Sequence, residues 1–221
     1  MNKKITIALD GPSGSGKSTA AKALSEKLDI LYLDTGAMYR ACGLKAKKSG
    51  ISCKDEKGVA SFIDDIDLKI EYREGVQHTI LDGEDVSADI RKNEVSMLAS
   101  DISALRCVRL KMVELQRKIA GEMSCVLDGR DIGTHVLPNA TFKFYITATS
   151  DVRAERRRKE LLSRGQNVPF EKIKAEIEQR DYNDSHREFA PLRKAEDAVE
   201  IDTSFMTAEE VLNKILEIMG V

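Results

Sequence analysis

Three observations predict an α/β fold in which a parallel sheet is flanked by helices and carries a small antiparallel insertion. Short β-rich runs alternate with helical stretches through most of the 221 residues. One stretch, residues 67–88, breaks that rhythm with the alternation and turn signals of a meander. Between the first strand and the first helix stands a complete G-x-x-x-x-G-K-[ST] pattern, which is meaningful only in that strand–loop–helix context.

The first strand is the run from Lys4 to Leu9. A Gly/Ser loop follows, then a helix to about Leu28 with Ala20, Ala23, Leu24 and Leu28 on its apolar side. Residues 30–33 read as a second buried strand, ended by Asp34, Thr35 and Gly36, with a helix from about Ala37 to Lys48 behind it. In the meander, Leu68, Ile70 and Tyr72 alternate with charged residues. The pairs Glu74-Gly75 and Asp82-Gly83 are hairpin turn signals on either side of the strand from Val76 to Leu81. From Glu94 to Ile119 the residues Val95, Leu98, Ile102, Leu105, Val108, Met112, Leu115 and Ile119 recur at spacings of three and four, which predicts one long helix. Further strands are expected at 125–127, 142–147 and 198–202. A closing amphipathic helix should start at Thr207, with Glu210 completing a capping box. Val211, Leu212, Ile215, Leu216 and Met219 would be its core face.

Composition excludes several function classes. The hydrophobic fraction of 42% and charged fraction of 33% suit one globular core with a charged surface. A net charge of -2 leaves no overall basic field for gripping nucleic acid, and the lack of Trp argues against an aromatic platform for single strands. No apolar run is long enough to span a bilayer. The basic start Met1–Lys4 is followed by an apolar stretch, Ile5 to Leu9, too short for a signal peptide, so a cytoplasmic setting is expected. Cys42, Cys53, Cys107 and Cys125 are scattered and read as reduced thiols; His78, His135 and His186 do not group with them into a zinc site.

The loop Gly11-Pro12-Ser13-Gly14-Ser15-Gly16-Lys17-Ser18-Thr19 has a direct physical reading. Glycines let the backbone wrap phosphate oxygens closely, and successive N–H groups point inward at a helix N-terminus. Lys17 would supply charge to the β- and γ-phosphates, and the Ser18 hydroxyl would ligate Mg²⁺. A GTPase would also carry Asn-Lys-x-Asp; Asn213, Lys214, Ile215 and Leu216 lack the Asp and lie in an amphipathic helix.

The second signal is an arginine stripe. Phe170, Ile173 and Ile177 form a helical row, and the next members of the same row are Arg180, Asp184 and Arg187. A face that begins apolar and ends Arg–Asp–Arg suits a ligand edge, with arginines for phosphate and a carboxylate for hydroxyls, although a helix running out into solvent would look alike. Arg153, Arg156 and Arg157 share a face ahead of the loop from Ser163 to Asn167, as in a basic flap closing over phosphates; a salt-bridged solvent face is the plainer alternative. Asp128, Gly129, Arg130 and Asp131 end a strand, where ligands gather in open α/β sheets. No residue is an obvious general base. A phosphate monoester acceptor, with its second pKa near ~6, needs none: its difficulty is anion–anion repulsion, which arginines and Mg²⁺ relieve.

From end to end the sequence resembles the bacterial cytidylate kinases. The resemblance rests on the segments Leu9–Gly14, Leu33–Arg40, Asp82–Ser87, Asp128–Thr134 and Arg180–Ser185, with Ala190, Pro191 and Leu192 just after. It implies a P-loop kinase with a helical lid: a core of residues 1–34, 121–152 and 188–221, a monophosphate-binding segment of 35–120 that holds the antiparallel insertion, and a lid with its flanking helix at 153–187. It implies transfer of phosphate from ATP, with Mg²⁺, to CMP or dCMP. Carried over residue by residue, Ser100, Arg109 and Asp131 would read cytosine, and Arg180 and Asp184 would hold the ribose. Arg40, Arg130 and Arg187 would bind the acceptor phosphate with Thr35 and Tyr39 nearby, while Arg153, Arg156 and Arg157 would act from the lid. Ser100 and Arg109 are nine residues apart, on opposite sides of a straight helix, so joint contact with a base requires a break near 104–107. A kinase for another small acceptor, such as another nucleotide or shikimate, and a P-loop module that senses ATP without transfer remain as rivals; neither nucleic acid nor membrane is expected as a partner, and a monomer is expected.

Overall fold

The computed structural model describes residues 4–221; of the basic start Met1–Lys4, the first three residues lie outside the described ones. The chain forms two compact units, one from the segments up to Tyr32 and from Met123 to Val221, the other from Leu33 to Glu122.

The first unit is built on parallel strands. β1 (Thr6–Asp10), β2 (Leu31–Asp34), β6 (Cys125–Gly129), β7 (Phe142–Thr147) and β8 (Val199–Asp202) are ordered β2-β6-β1-β7-β8. β1 pairs in parallel with β6 and β7, and β7 with β8. Helices α1 (Lys17–Leu28) and α8 (Ala208–Met219) cover the sheet through a core of Ile7, Leu9, Leu24, Val126, Phe144, Ile146, Ile201, Val211 and Ile215. β1 is buried on nearly every residue, with Ile7, Ala8 and Leu9 consecutive, because both of its faces are covered. α8 starts with the expected capping box between Thr207 and Glu210. The pairing register has a functional consequence. Asp10 lies opposite Gly129 and Tyr145, and Thr147 opposite Asp202, so the loops that leave β1, β6, β7 and β8 emerge side by side at one edge of the sheet. Helices α6 (Ser150–Ser163) and α7 (Phe170–His186) pack on each other through Ala154, Leu161, Ile173 and Ile177.

In the second unit, α2 (Thr35–Lys48) packs against α4 (Asn93–Ile102), α5 (Arg106–Glu122) and an antiparallel sheet of β3 (Leu68–Arg73), β4 (Val76–Leu81) and β5 (Glu84–Asp85). α3 (Glu56–Ile63), which the periodicity did not single out, packs on α5. Both hairpin turns use two left-handed residues, Glu74 and Gly75 (φ 53° and 75°) and Asp82 and Gly83 (φ 51° and 81°), the geometry whose twist matches the strands. α2 begins two residues earlier than expected, because the Asp34 side chain accepts from the Ala37 N–H and caps it.

The continuous helix expected over 94–119 is not formed. Ser103, Ala104 and Leu105 intervene between α4 and α5. The Ser103 hydroxyl donates to the Ser100 carbonyl, and the Ala104 and Leu105 N–H groups turn back to Asp101 and Ile102 in tight i→i−3 bonds, which close the last turn of α4. The Arg109 N–H then opens a new ladder at the Leu105 carbonyl. Apolar spacing passes through this break without a mark because both helices bury the same periodic residues, Ile102 before it and Val108 and Met112 after it.

Candidate active site

The loop after β1 has the backbone its sequence requires. Gly11, Gly14 and Gly16 have φ of 145°, 76° and 93°. At Gly11 no side chain is possible, since a Cβ would stand 2.0 Å from the Ile146 carbonyl oxygen. Gly16 caps α1 with no side-chain hydrogen bond, leaving the first N–H groups of the helix open toward the loop. Lys17 is 4% exposed; its Nζ donates to the Pro12 carbonyl at 2.6 Å and to Ser15 Oγ at 3.3 Å. Burial, with Arg130 next in weight, holds its ammonium well below the usual lysine range, while Asp128 and Asp10 pull the other way. A phosphate group entering the loop would add its charge to those of Asp128 and Asp10 around this buried cation.

Ser18 Oγ donates to Asp128 Oδ2 at 2.6 Å, and the Tyr32 hydroxyl donates to Asp128 Oδ1 at 3.1 Å. A P-loop hydroxyl joined to a strand-end carboxylate is a hard oxygen pair suited to Mg²⁺, which takes few protein ligands and completes its shell with water and substrate phosphate. No cluster of three or more His, Cys, Asp or Glu side chains is arranged to hold a metal among the described residues. In the sequence Asp128 is one of the charged residues at a strand end where ligands gather; its pairing with Ser18, 110 residues away, carries no local signal.

The turn after β6 and the stripe on α7 meet. Arg130 Nε donates to Asp184 Oδ2 at 2.7 Å. Arg187, which caps α7, lies 3.9 Å from Asp184 Oδ1, donates to Asp131 Oδ1 at 3.4 Å and to the Ala190 carbonyl at 2.7 Å. Burial alone would raise the Asp184 pKa, but Arg130, with Arg180 and Arg187, outweighs it and holds the carboxyl below its ordinary value. Arg180 is half-buried and its charge acts on both Asp184 and Lys17. The Arg–Asp–Arg end of the stripe is thus an inward, buried cluster and not a solvated face.

Three of the arginines of α6, Arg153, Arg156 and Arg157, divide their work. Arg153 is buried: Nε donates to the Ala148 carbonyl, Nη1 donates to the Ser13 carbonyl of the phosphate loop at 3.1 Å, and Nη1 pairs with Asp181 at 2.6 Å. Arg156 donates to the Thr203 hydroxyl and carbonyl at 3.1 and 2.7 Å, and Thr203 in turn donates to the Ser15 carbonyl. Arg157 pairs with Glu160 at 2.7 Å. Arg156 also walls a cleft of about 170 Å³ lined by Gly16, Thr19, Thr203, Met206 and Val211. Neither Thr203 nor Met206 carries a motif, so only the parallel pairing of β7 and β8 brings them beside the loop.

In the Leu33–Glu122 unit, Thr35 and Tyr39 are buried on the first turns of α2, and Arg40 Nη2 pairs with Asp34 at 2.8 Å. Arg109 is 1% exposed, lies over the Tyr39 ring at 5.4 Å and donates to the Ser103 carbonyl at 3.2 Å. Ser100, half-buried near the end of α4, is carried on a different helix from Arg109, as the break allows.

A sequence model of the cytidylate kinase family matches residues 7–220. The chain belongs to the cytidylate kinase family. It is 50% identical over 216 residues to the cytidylate kinase of Caldicellulosiruptor bescii, covering 98% of this chain and 96% of that one. Against the cytidylate kinases of Lactobacillus johnsonii and Clostridium perfringens the identities are 45% and 46% over 219 residues, with 99% of this chain and 95% and 99% of the relatives covered. Among solved structures the chain is similar to a shikimate kinase from Acinetobacter baumannii (TM-score 0.50, 16% identity, 99% of this chain and 94% of that one) and a gluconokinase from Sinorhizobium meliloti (TM-score 0.51, 12% identity, 97% and 92%). At such identity these structures share the P-loop kinase fold only. As a cytidylate kinase family member the chain is a phosphotransferase acting on a nucleotide.

Proposed function

We propose that the chain transfers the γ-phosphoryl group of ATP to CMP or dCMP, giving ADP and CDP or dCDP. The observation that carries this reading is the buried cluster of Arg130, Asp131, Asp184 and Arg187, reached in the same unit as Lys17 and the phosphate loop. Paired arginines with a carboxylate between them suit a phosphorylated, hydroxyl-bearing acceptor better than a neutral alcohol. The donor triphosphate would lie on the N–H groups of Gly11 to Thr19, with Lys17 at its β- and γ-phosphates. Its base would enter the cleft beside Arg156, whose guanidinium plane offers a stacking surface. Ser18 and Asp128 would hold Mg²⁺, which when bound neutralises the charge of the phosphates.

Arg130 and Arg187 would bind the acceptor phosphate, with Arg40 as a third cation. Arg180 and Asp184 would hold the ribose, and Ser100, Arg109 and Asp131 would read cytosine. The acceptor is already a dianion at neutral pH, so catalysis is alignment and charge neutralisation, without proton removal. Arg153 ties α6 to the loop through the Ser13 carbonyl, so closure of α6 and α7 and order in the loop are linked. An ADP-release assay with ATP, Mg²⁺ and a panel of CMP, dCMP, UMP, AMP, GMP, dTMP and shikimate tests the reading. Turnover chiefly with CMP and dCMP is expected; turnover chiefly with shikimate or AMP would overturn the acceptor assignment.

A further inference from the structure

We propose that Asp10 is a positioning residue for the acceptor: from the end of β1 it caps the turn after β6, and so sets the directions of Arg130 and Asp131. The inference rests on the reading above that those two residues bind the acceptor.

Asp10 ends β1, opposite Gly129 on β6, and is 4% exposed. Its Oδ1 accepts the Ile132 N–H and its Oδ2 accepts the Gly133 N–H, both at 2.7 Å. These are the first two N–H groups of a single π-helical turn, Ile132–Val136, and every helix start leaves such donors without a partner of its own. Asp131 occupies the cap position of that turn, and Asp is among the residues that cap best. Yet Asp131 makes no side-chain cap bond; its carboxylate accepts from Arg187 instead. A residue 121 positions away in sequence thus does the capping, and Asp131 is released to face the arginine cluster. Arg130, immediately before it, is aimed at Asp184 from the same fixed turn.

A Cβ on Gly133 would stand 3.3 Å from Asp10 Oδ2 and 3.2 Å from Lys143 Cδ, so a methyl there would have to push both side chains aside slightly. Burial pushes the Asp10 carboxyl up to about 7. The Gly133 and Ile132 N–H groups and Lys17 favour the ionised form, and Asp131 opposes it. The ionised form is the one with an acceptor for each N–H.

A strut that merely holds the sheet together would, when weakened, lower stability and harm both substrates alike. A positioning residue for the acceptor harms one substrate. The test is steady-state kinetics of Asp10→Asn and Gly133→Ala, with Arg130→Ala as reference and thermal melting of each. Asn keeps the shape but turns an NH₂ toward one of the two N–H groups, and the Gly133 methyl presses on the carboxylate without removing it. Each is expected to raise KM for CMP about ten-fold more than KM for ATP, the loss of roughly one buried hydrogen bond. If Arg130→Ala raises KM for CMP but both of these variants change the two KM values in parallel, or not at all, Asp10 does not position the acceptor. If Arg130→Ala itself leaves KM for CMP unchanged, the acceptor reading fails and this inference with it. Gly133→Ala keeps the test open should Asp10→Asn not fold.

Discussion

Asp184→Ala should cost the fold about 3–5 kcal/mol, the usual penalty for removing one partner of a buried pair. Asp184 is 8% exposed at its side chain, and it separates two guanidiniums, Arg130 at 2.7 Å and Arg187 at 3.9 Å, which are 18% and 7% exposed. At an effective dielectric of about 20, one such pair near 4 Å is worth about 4 kcal/mol of attraction, so its loss exceeds the gain from freeing a carboxylate. Arg187 keeps the Asp131 carboxylate and the Ala190 carbonyl after the change, whereas Arg130 keeps the Gly129 carbonyl at 3.3 Å. The penalty therefore falls mainly on Arg130. Asp184→Asn retains an acceptor for Arg130 Nε but no charge, and should lie near half the alanine cost. Urea unfolding of the wild type, both variants and the double variant with Arg130→Met measures this directly, because removing both charges should recover most of the loss. A cost under about 1 kcal/mol for Asp184→Ala, or no recovery in the double variant, would refute the claim that this carboxylate neutralises the cluster. The same alanine variant should change the ratio of CMP to dCMP efficiency if Asp184 meets the ribose.

Other perturbations give separate checks. Gly11→Ala should abolish ATP binding and lower the melting temperature steeply, since its Cβ would collide with the Ile146 carbonyl; a variant that binds ATP normally would contradict the loop geometry. Gln116 is 1% exposed and neither end of its amide has a hydrogen-bond partner among the described residues, so Gln116→Met should raise stability by about 1 kcal/mol in urea unfolding, and a loss would show that the amide is satisfied. For Asp10, the folded pKa is raised from 3.8 to about 7, so between those values the folded chain holds a proton that the unfolded chain has released. Its contribution to stability is full below pH ~4 and falls by up to ~1.4 kcal/mol per unit as pH rises toward 7. Asp184, whose pKa is lowered, acts oppositely: its contribution is present above pH ~4 and lost on acidification below it. Comparing wild type with Asp10→Asn from pH 4 to 7 isolates the first effect; equal slopes would refute it.

Local signals carried the fold far. The two left-handed hairpin turns, the Thr207 cap and the strand at 142–147 were legible because each depends on residues adjacent in sequence. The break between α4 and α5 was not predicted by periodicity, since three turn residues can replace three helical ones without disturbing the spacing of buried side chains. α3 escaped notice because eight residues with Val59 and Ile63 buried give too short a pattern.

The same division holds at the site. The phosphate loop and the inward arginine row were legible as motifs. Asp10, Thr203 and Asp181 were not, and Asp128 was legible as a strand-end carboxylate but not as the partner of Ser18, because each acts through a partner more than a hundred residues distant or on another helix: the turn at Ile132, Ser15, Arg153 and Ser18 respectively. Sequence spacing reports neighbours on one element, while these contacts depend on which strands lie side by side.

The most direct single measurement is to supply ATP labelled at its γ-phosphate, with Mg²⁺ and CMP, to the wild type and to Lys17→Ala, and to follow where the label goes. The expected result is CDP labelled at its β-phosphate with the wild type and none with the variant, because the buried ammonium is the fixed charge for the transferred group. Labelled inorganic phosphate in place of CDP, or equal transfer by the variant, would contradict phosphoryl transfer to CMP at this loop.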